Sequence, residues 1–108
     1  LHQQIQAFHS WIRQRWPGCT ARAEVPVKAR LPNGQVLNGR IDLLLETAQG
    51  YVLIDHKSSP HAESQWDELV AEYKPQLDAY AKGIVEASGR SVMEQWLLLP
   101  VSAAMVKI

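Results

Sequence analysis

The chain has 108 residues, which suits one domain and is small for two. Its eleven basic and eleven acidic residues cancel, so it lacks the strong positive charge of proteins that hold nucleic acid by electrostatics alone. Cys19 is the single cysteine, which excludes an internal disulfide and a cysteine-held zinc or iron–sulfur site and makes a reducing, cytoplasmic setting the expectation. The apolar runs are far shorter than the roughly 20 residues of a membrane span.

A helix and a strand are predicted first. Apolar residues at spacings of three and four predict a helix over residues 2–16, which Pro17-Gly18 ends. Strict alternation predicts a half-buried strand over residues 23–31. Pro26 cannot donate a hydrogen bond to a neighbouring strand, so it favours a position at the edge of the sheet. Asn33-Gly34 predicts a hairpin turn.

Two further strands follow, over residues 35–46 and 51–57. The second strand is predicted to present Leu37, Ile41, Leu43 and Leu45 on one face, and Arg40 and Asp42 on the other. In the third strand, the period of two places Asp55 and Lys57 on the face of Tyr51 and Leu53. Val52, Ile54 and His56 then share the opposite face.

A long helical stripe comes next. Ser64-x-x-Asp67 resembles a capping box, and Pro75 either kinks the helix or begins a fresh one. Gly89 ends it, and strands are predicted over residues 92–99 and 103–108. The order αβββαβ predicts a single domain over residues 1–108, with helices packed on a sheet.

The residues that carry chemistry lie on the second and third strands. Neighbouring strands of a hairpin can bring Asp42 beside Asp55, and two carboxylates so close repel each other unless a cation lies between them. Mg²⁺ prefers such oxygen ligands. Lys57 would lie a few ångströms away, able to orient water or offset charge on a phosphate. The alternative is that Asp55 and Lys57 merely end the strand and pair with each other.

Three segments in order resemble a known family. Gly39-Arg40-Ile41-Asp42, then Tyr51-Val52-Leu53-Ile54-Asp55-His56-Lys57, then Gln76-x-x-x-Tyr80, is similar to the PD-(D/E)XK superfamily of nucleases. The similarity is to the RecB-like branch, found at the C-terminus of UvrD/Rep-type helicase-nucleases. It implies an α/β, restriction-endonuclease-like core, with a central mixed β-sheet flanked by helices.

The resemblance also implies roles. Asp42 and Asp55 would be ligands of Mg²⁺ (or Mn²⁺), the backbone carbonyl of His56 a further ligand, and Lys57 a residue that positions the attacking water. Gln76 and Tyr80, one helical turn apart, would shape the site near bound DNA. Tyr80 also lies on the apolar stripe, so core packing is the alternative for it.

The family carries a histidine on its first helix that completes the metal site. His2 fits that position, His9 competes with it, and either can be a histidine that only packs or caps. Glu24 is another candidate, as an acidic group from the first strand. Trp11, Trp16, Trp66 and Trp96 could stack on bases, although Trp16 and Trp66 lie on apolar stripes that favour packing.

The function implied is a metal-dependent DNA nuclease, acting as an exonuclease on single-stranded DNA in recombination and repair. The chain would be a piece of a larger bacterial protein, whose helicase domains feed the strand to the site, without a membrane or an iron–sulfur cluster. The first alternative is a catalytically inactive module that binds DNA or serves as a scaffold. The others are an enzyme of the superfamily that acts on RNA or as a restriction-type endonuclease, and an unrelated α+β domain.

Overall fold

The computed structural model of the chain describes residues 2–57, 63–99 and 104–108, with side chains described from residue 6 onward. The elements, in chain order, are α1 (His2–Arg15), β1 (Thr20–Arg30), β2 (Val36–Glu46), β3 (Tyr51–His56), a 3₁₀ turn (Glu63–Gln65), α2 (Trp66–Ser88), β4 (Val92–Leu99) and β5 (Ala104–Lys107). The predicted order is confirmed, and the last predicted strand is present as β5.

The strands form one mixed sheet in the order β1-β2-β3-β4-β5. β1, β2 and β3 pair antiparallel, β3 and β4 pair parallel, and β5 returns antiparallel to β4. β1 lies at an edge of the sheet, which is where Pro26 is tolerated because no strand requires its missing N–H. No helix in the described ranges is long and apolar enough to cross a membrane.

Each face of the sheet is covered by one helix. Leu53 lies in the buried core under α2, and Tyr51 packs against that core. Val52 and Ile54 belong to the second core, which contains the α1 residue Ile12. The predicted alternation of β3 is therefore confirmed, and it directs Asp55 toward the α2 side of the sheet.

The predicted common face of Leu37, Ile41, Leu43 and Leu45 is wrong. Ile41 lies in the core under α2, whereas Leu43 and Leu45 pack on the α1 side. Between them, Asp42 lies opposite Glu24 by the register of the flanking pairs, and Glu24 has a positive φ of 58°. A side-chain period of two cannot pass through this irregular step, so β2 exchanges its faces at Asp42.

The start and the middle of α2 correct two predictions. The helix follows a 3₁₀ turn, and its N-cap is Gln65, which makes no side-chain capping bond, so the predicted capping box at Ser64 is wrong. α2 continues through Pro75, so no fresh helix begins there. Pro75 is exposed, and water can therefore satisfy the carbonyl that the proline leaves without a donor. Gly89 ends the helix in the left-handed conformation, as predicted.

Candidate active site

The structure brings Asp42 and Asp55 together. The register of β2 with β3 places the two residues opposite each other, one step beyond the pair Leu43–Ile54. Their carboxyl groups lie in hydrogen-bond contact, and Asp42 Oδ2 also accepts a 2.8 Å hydrogen bond from the backbone N–H of His56. The backbone of two paired strands therefore holds together two acidic groups that would otherwise repel each other.

The electrostatics of Asp42 reflect this proximity. Partial burial raises the pKa of Asp42 above its ordinary value, and its hydrogen bond and charge interaction with Asp55 act in the same direction. The N–H and the positive charge of His56 oppose this rise without cancelling it. Asp42 is thus a carboxyl group whose ionised form lacks sufficient compensation from the protein alone.

Lys57 adjoins the acidic pair. Its Nζ lies 2.9 Å from Asp55 Oδ2, and its side chain is 21% exposed against 9% for that of Asp55. The backbone N–H of Lys57 donates a 2.9 Å hydrogen bond to the carbonyl of Leu98, which extends the pairing of β3 with β4 past His56. An anchored backbone thus presents the ammonium group at the end of a buried strand.

The residues present fit a hard divalent cation. Asp55 Oδ2 is buried and, despite its ion pair with Lys57, has no aligned hydrogen-bond donor among the described residues. A buried carboxylate oxygen without a donor, beside a second carboxyl group, is a donor set suited to Mg²⁺ or Mn²⁺. No third His, Cys, Asp or Glu of the described residues joins the pair to make a cluster of three.

Gln76 and Tyr80 also come together, on the face of α2 that covers β2. Gln76 Nε2 donates a 2.9 Å hydrogen bond to the phenol oxygen of Tyr80. The Tyr80 ring is buried and packs directly on Gly39, where an added Cβ would collide with it. Tyr80 therefore belongs to the core and also presents its hydroxyl group to Gln76, so the two interpretations of this residue are compatible.

The remaining candidates lie apart from the pair. The side chain of His2 lies outside the described residues. His9 is exposed on α1 beside the ring of Phe8. Glu24 is 65% exposed, and its carboxylate lies 2.9 Å from the guanidinium of Arg40. Neither His9 nor Glu24 forms part of a three-ligand group with Asp42 and Asp55 in the described part of the chain.

The family model described as the PD-(D/E)XK nuclease superfamily matches residues 2–108. The chain belongs to this superfamily. The mixed sheet with a helix on each face is the restriction-endonuclease-like fold that the motifs implied. The expected resemblance is therefore confirmed, and the alternative of an unrelated α+β domain is wrong.

Relatives that match this superfamily chain are large proteins. It is 32% identical, over 93 residues, to the A subunit of the ATP-dependent helicase/nuclease from Desulforudis audaxviator, and the match covers 82% of this chain and 8% of the relative. It is 39% identical, over 64 residues, to the protein of the same name from Clostridium novyi, and that match covers 59% of this chain and 5% of the relative. The chain thus spans less than a tenth of the relatives it matches.

Three features of the PD-(D/E)XK site were missed from the sequence. The first is the N–H of His56, which donates to Asp42, whereas the motif directed attention to the carbonyl of His56. The second is the contact of Gly39 with Tyr80, for which the glycine in the first motif was an available signal. The third is Tyr73, whose ring lies 4.0 Å, measured to its centroid, from Lys57 Nζ. Tyr73 precedes Gln76 by three residues, so helical spacing could have indicated it.

Proposed function

We propose that this chain is the metal-dependent nuclease domain of a helicase-nuclease and hydrolyses phosphodiester bonds in single-stranded DNA as an exonuclease. The observation that carries the proposal is the meeting of Asp42, Asp55 and Lys57 at the end of a buried strand, with one Asp55 oxygen lacking a hydrogen-bond donor. The printed names of the relatives supply the helicase context and the association with DNA repair and recombination.

Asp42 and Asp55 would hold the divalent ion, with the carbonyl of His56 and the side chain of His2 as further proposed ligands. When bound, Mg²⁺ or Mn²⁺ supplies positive charge to the scissile phosphate and favours the ionisation of water. The two carboxylates are already oriented by the strand pairing and by the His56 N–H, so little reorganisation accompanies binding.

Lys57 would act on the attacking water and on the phosphate. Its ammonium group, held 2.9 Å from Asp55, can donate one hydrogen bond to the water and offset charge that develops on a phosphate oxygen. The water oxygen forms the new bond to phosphorus, the bond to the sugar oxygen breaks, and that oxygen receives a proton. Gln76 and Tyr80, joined by their hydrogen bond, would border the bound strand.

The test is cleavage of end-labelled single-stranded DNA by the full-length protein with Mg²⁺ or Mn²⁺. We expect Asp55→Ala and Lys57→Ala each to lower the cleavage rate by about a hundredfold or more, because each removes charge at the reacting phosphate. Chelation of the metal should abolish cleavage by the wild type. Asp78→Ala and Lys74→Ala are matched controls, since they break an ion pair of the same residue types on the exposed side of α2.

Four outcomes of this assay contradict parts of the proposal. Cleavage that survives in Asp55→Ala and Lys57→Ala places the chemistry elsewhere. Cleavage of circular single strands at the rate of linear ones means endonuclease action. Faster cleavage of RNA means a different substrate class. Calorimetric binding of Mn²⁺ by a wild-type protein that cuts neither DNA nor RNA identifies a catalytically inactive module.

A further inference from the structure

The ammonium group of Lys57 has two partners from different elements. Asp55 Oδ2 lies 2.9 Å from Nζ, and the centroid of the Tyr73 ring lies 4.0 Å from the same atom. The carboxylate comes from β3, whereas the ring comes from α2 across the sheet face. A cation above an aromatic ring is attracted by the negative charge of the ring face.

Tyr73 is held in place by the packing of its helix. It lies seven residues before Tyr80, and hence about two helical turns along the same face of α2. Its ring is partly buried and packs against the core under α2. The face of the ring is therefore presented to Lys57 by an element that is itself packed on the sheet.

The two partners of Lys57 differ in what else they must do. In the proposed reaction Asp55 has to serve a divalent ion, and its oxygens are then shared between that ion and the ammonium group. An aromatic ring binds no hard cation of this kind, and its face attracts the ammonium group without accepting a directed hydrogen bond. Tyr73 can thus hold Lys57 while leaving its N–H donors available to water and phosphate.

We propose that Tyr73 is a positioning residue, which holds the Lys57 ammonium group in its working place through the face of its ring. This inference rests on the proposed nuclease function, in which Lys57 assists the attack of water. The ring is the required part of the side chain, and the hydroxyl group is dispensable.

The experiment compares Tyr73→Leu and Tyr73→Phe in the full-length protein, by steady-state cleavage of single-stranded DNA with Mn²⁺. We expect Tyr73→Leu to lower kcat by roughly tenfold with KM changed less than about twofold, because the ring supports Lys57 rather than the DNA. Tyr73→Phe keeps the ring and should retain kcat near that of the wild type. Tyr51→Leu is the matched control, since Tyr51 is also partly buried on this core with a cation, Arg90, over its ring.

The result separates a positioning role from a structural one. Tyr51→Leu and Tyr73→Leu remove similar buried area, so a loss of kcat in both variants would show general destabilisation and overturn the proposal. A loss in Tyr73→Phe equal to that in Tyr73→Leu would overturn it in favour of the hydroxyl group. A rise in KM at constant kcat would overturn it in favour of direct contact with DNA.

Asp55→Ala, assayed in parallel, distinguishes failure of this inference from failure of the proposed function. If Asp55→Ala is inactive while Tyr73→Leu cuts like the wild type, the nuclease function stands and the role of Tyr73 is refuted. If the wild type does not cut, or if Asp55→Ala cuts equally well, the proposed function is what fails, and the role of Tyr73 falls with it.

Discussion

At the scale of single residues, Asp42 and Asp55 are held together by the backbone rather than by mutual attraction. Strand register aligns them, and the His56 N–H anchors Asp42 through a 2.8 Å hydrogen bond. Partial burial and the adjacent Asp55 raise the pKa of Asp42, so ionisation of Asp42 at neutral pH acts against folding. Sites built for function commonly reduce stability in this way.

Replacing Asp42 by asparagine should therefore stabilise the metal-free protein at neutral pH. Because the folded pKa of Asp42 is raised, its favourable contribution to folding is present below the unfolded pKa and is lost as the pH rises through the folded pKa. The asparagine side chain does not ionise, so it avoids that loss, and it keeps an oxygen for the His56 N–H. The gain in Tm, measured with chelator, should be largest at about pH 7 and should vanish toward about pH 3.

The control for this prediction is Asp78→Asn. Asp78 is exposed and pairs with Lys74 at 3.2 Å, so its replacement should slightly lower Tm or leave it unchanged. A Tm gain of Asp42→Asn that grew toward acidic pH would contradict the assigned direction of the pKa. Added Mn²⁺ should reverse the order of the wild type and Asp42→Asn, because only the wild type keeps both carboxylates.

At the scale of elements, α2 does most to define the site, and two glycines set how closely it approaches the sheet. Tyr80 lies on Gly39 of β2, and Gly83 of α2 lies against the backbone carbonyl of Lys28 on β1. At both positions a Cβ would collide with its neighbour. The distance between α2 and the sheet, and with it the placement of Gln76 and Tyr73 relative to β3, depends on these contacts.

Gly83→Ala tests this close approach. Alanine favours a helix by about 1 kcal/mol over glycine, so helix propensity alone predicts a more stable protein. The added Cβ would meet the Lys28 carbonyl and the side chain of Val27, and neither can move without shifting β1. We expect the clash to win and the free energy of unfolding, measured with urea, to fall by about 1–3 kcal/mol.

The exposed neighbour Lys82 supplies the comparison for Gly83→Ala. Lys82→Ala changes helix propensity little and meets no packed backbone, so its effect should stay within about 0.5 kcal/mol. Stabilisation by Gly83→Ala would show that α2 can move away from β1 without loss. A matching drop in cleavage rate for Gly83→Ala would show that the helix position matters to the site.

At the scale of the whole molecule, Glu94 joins three elements on the α1 side. Its carboxylate accepts a 3.0 Å hydrogen bond from Trp96 Nε1 and lies 3.4 Å from Arg15 of α1 and 3.6 Å from Lys107 of β5. Arg15 also lies over the ring of Trp96, which packs edge-on against Trp11. This cluster fastens α1 to the far edge of the sheet, away from the acidic pair.

Glu94→Gln should weaken that attachment in a pH-dependent manner. Partial burial alone would raise the pKa of Glu94, but the hydrogen bonds from Trp96 and Arg15 and the charges of Lys107 and Arg15 lower it overall. The stabilisation is therefore present above the unfolded pKa and lost as the pH falls through the folded pKa. We expect a loss of about 1 kcal/mol at neutral pH and no difference from wild type in acid.

Urea denaturation at about pH 7 and about pH 3 measures this dependence, with Glu72→Gln as the exposed control on α2. An equal loss at both values would mean that Glu94 acts through packing rather than through its charge. Since the cluster lies across the sheet from Asp42 and Asp55, DNA cleavage by the folded Glu94→Gln protein should match that of the wild type.

Local patterns predicted much of this molecule. The two-residue period of β3 predicted which of its side chains face α2, and the ordered motifs around Asp42, Asp55 and Gln76 indicated the superfamily. Such patterns can be read from the chain because side-chain direction in a strand or helix depends on neighbouring residues alone. Ser64 marks the limit of such patterns, since a plausible capping sequence there lies in a 3₁₀ turn.

Contacts between elements were decided only by the tertiary structure. β2 exchanges its faces at Asp42 because Glu24, on another strand, takes a positive φ opposite it. Tyr73 meets Lys57 because α2 packs across the end of β3. Neither contact follows from a local period, since each joins residues far apart in the chain, and their separation in space is set by register and helix packing.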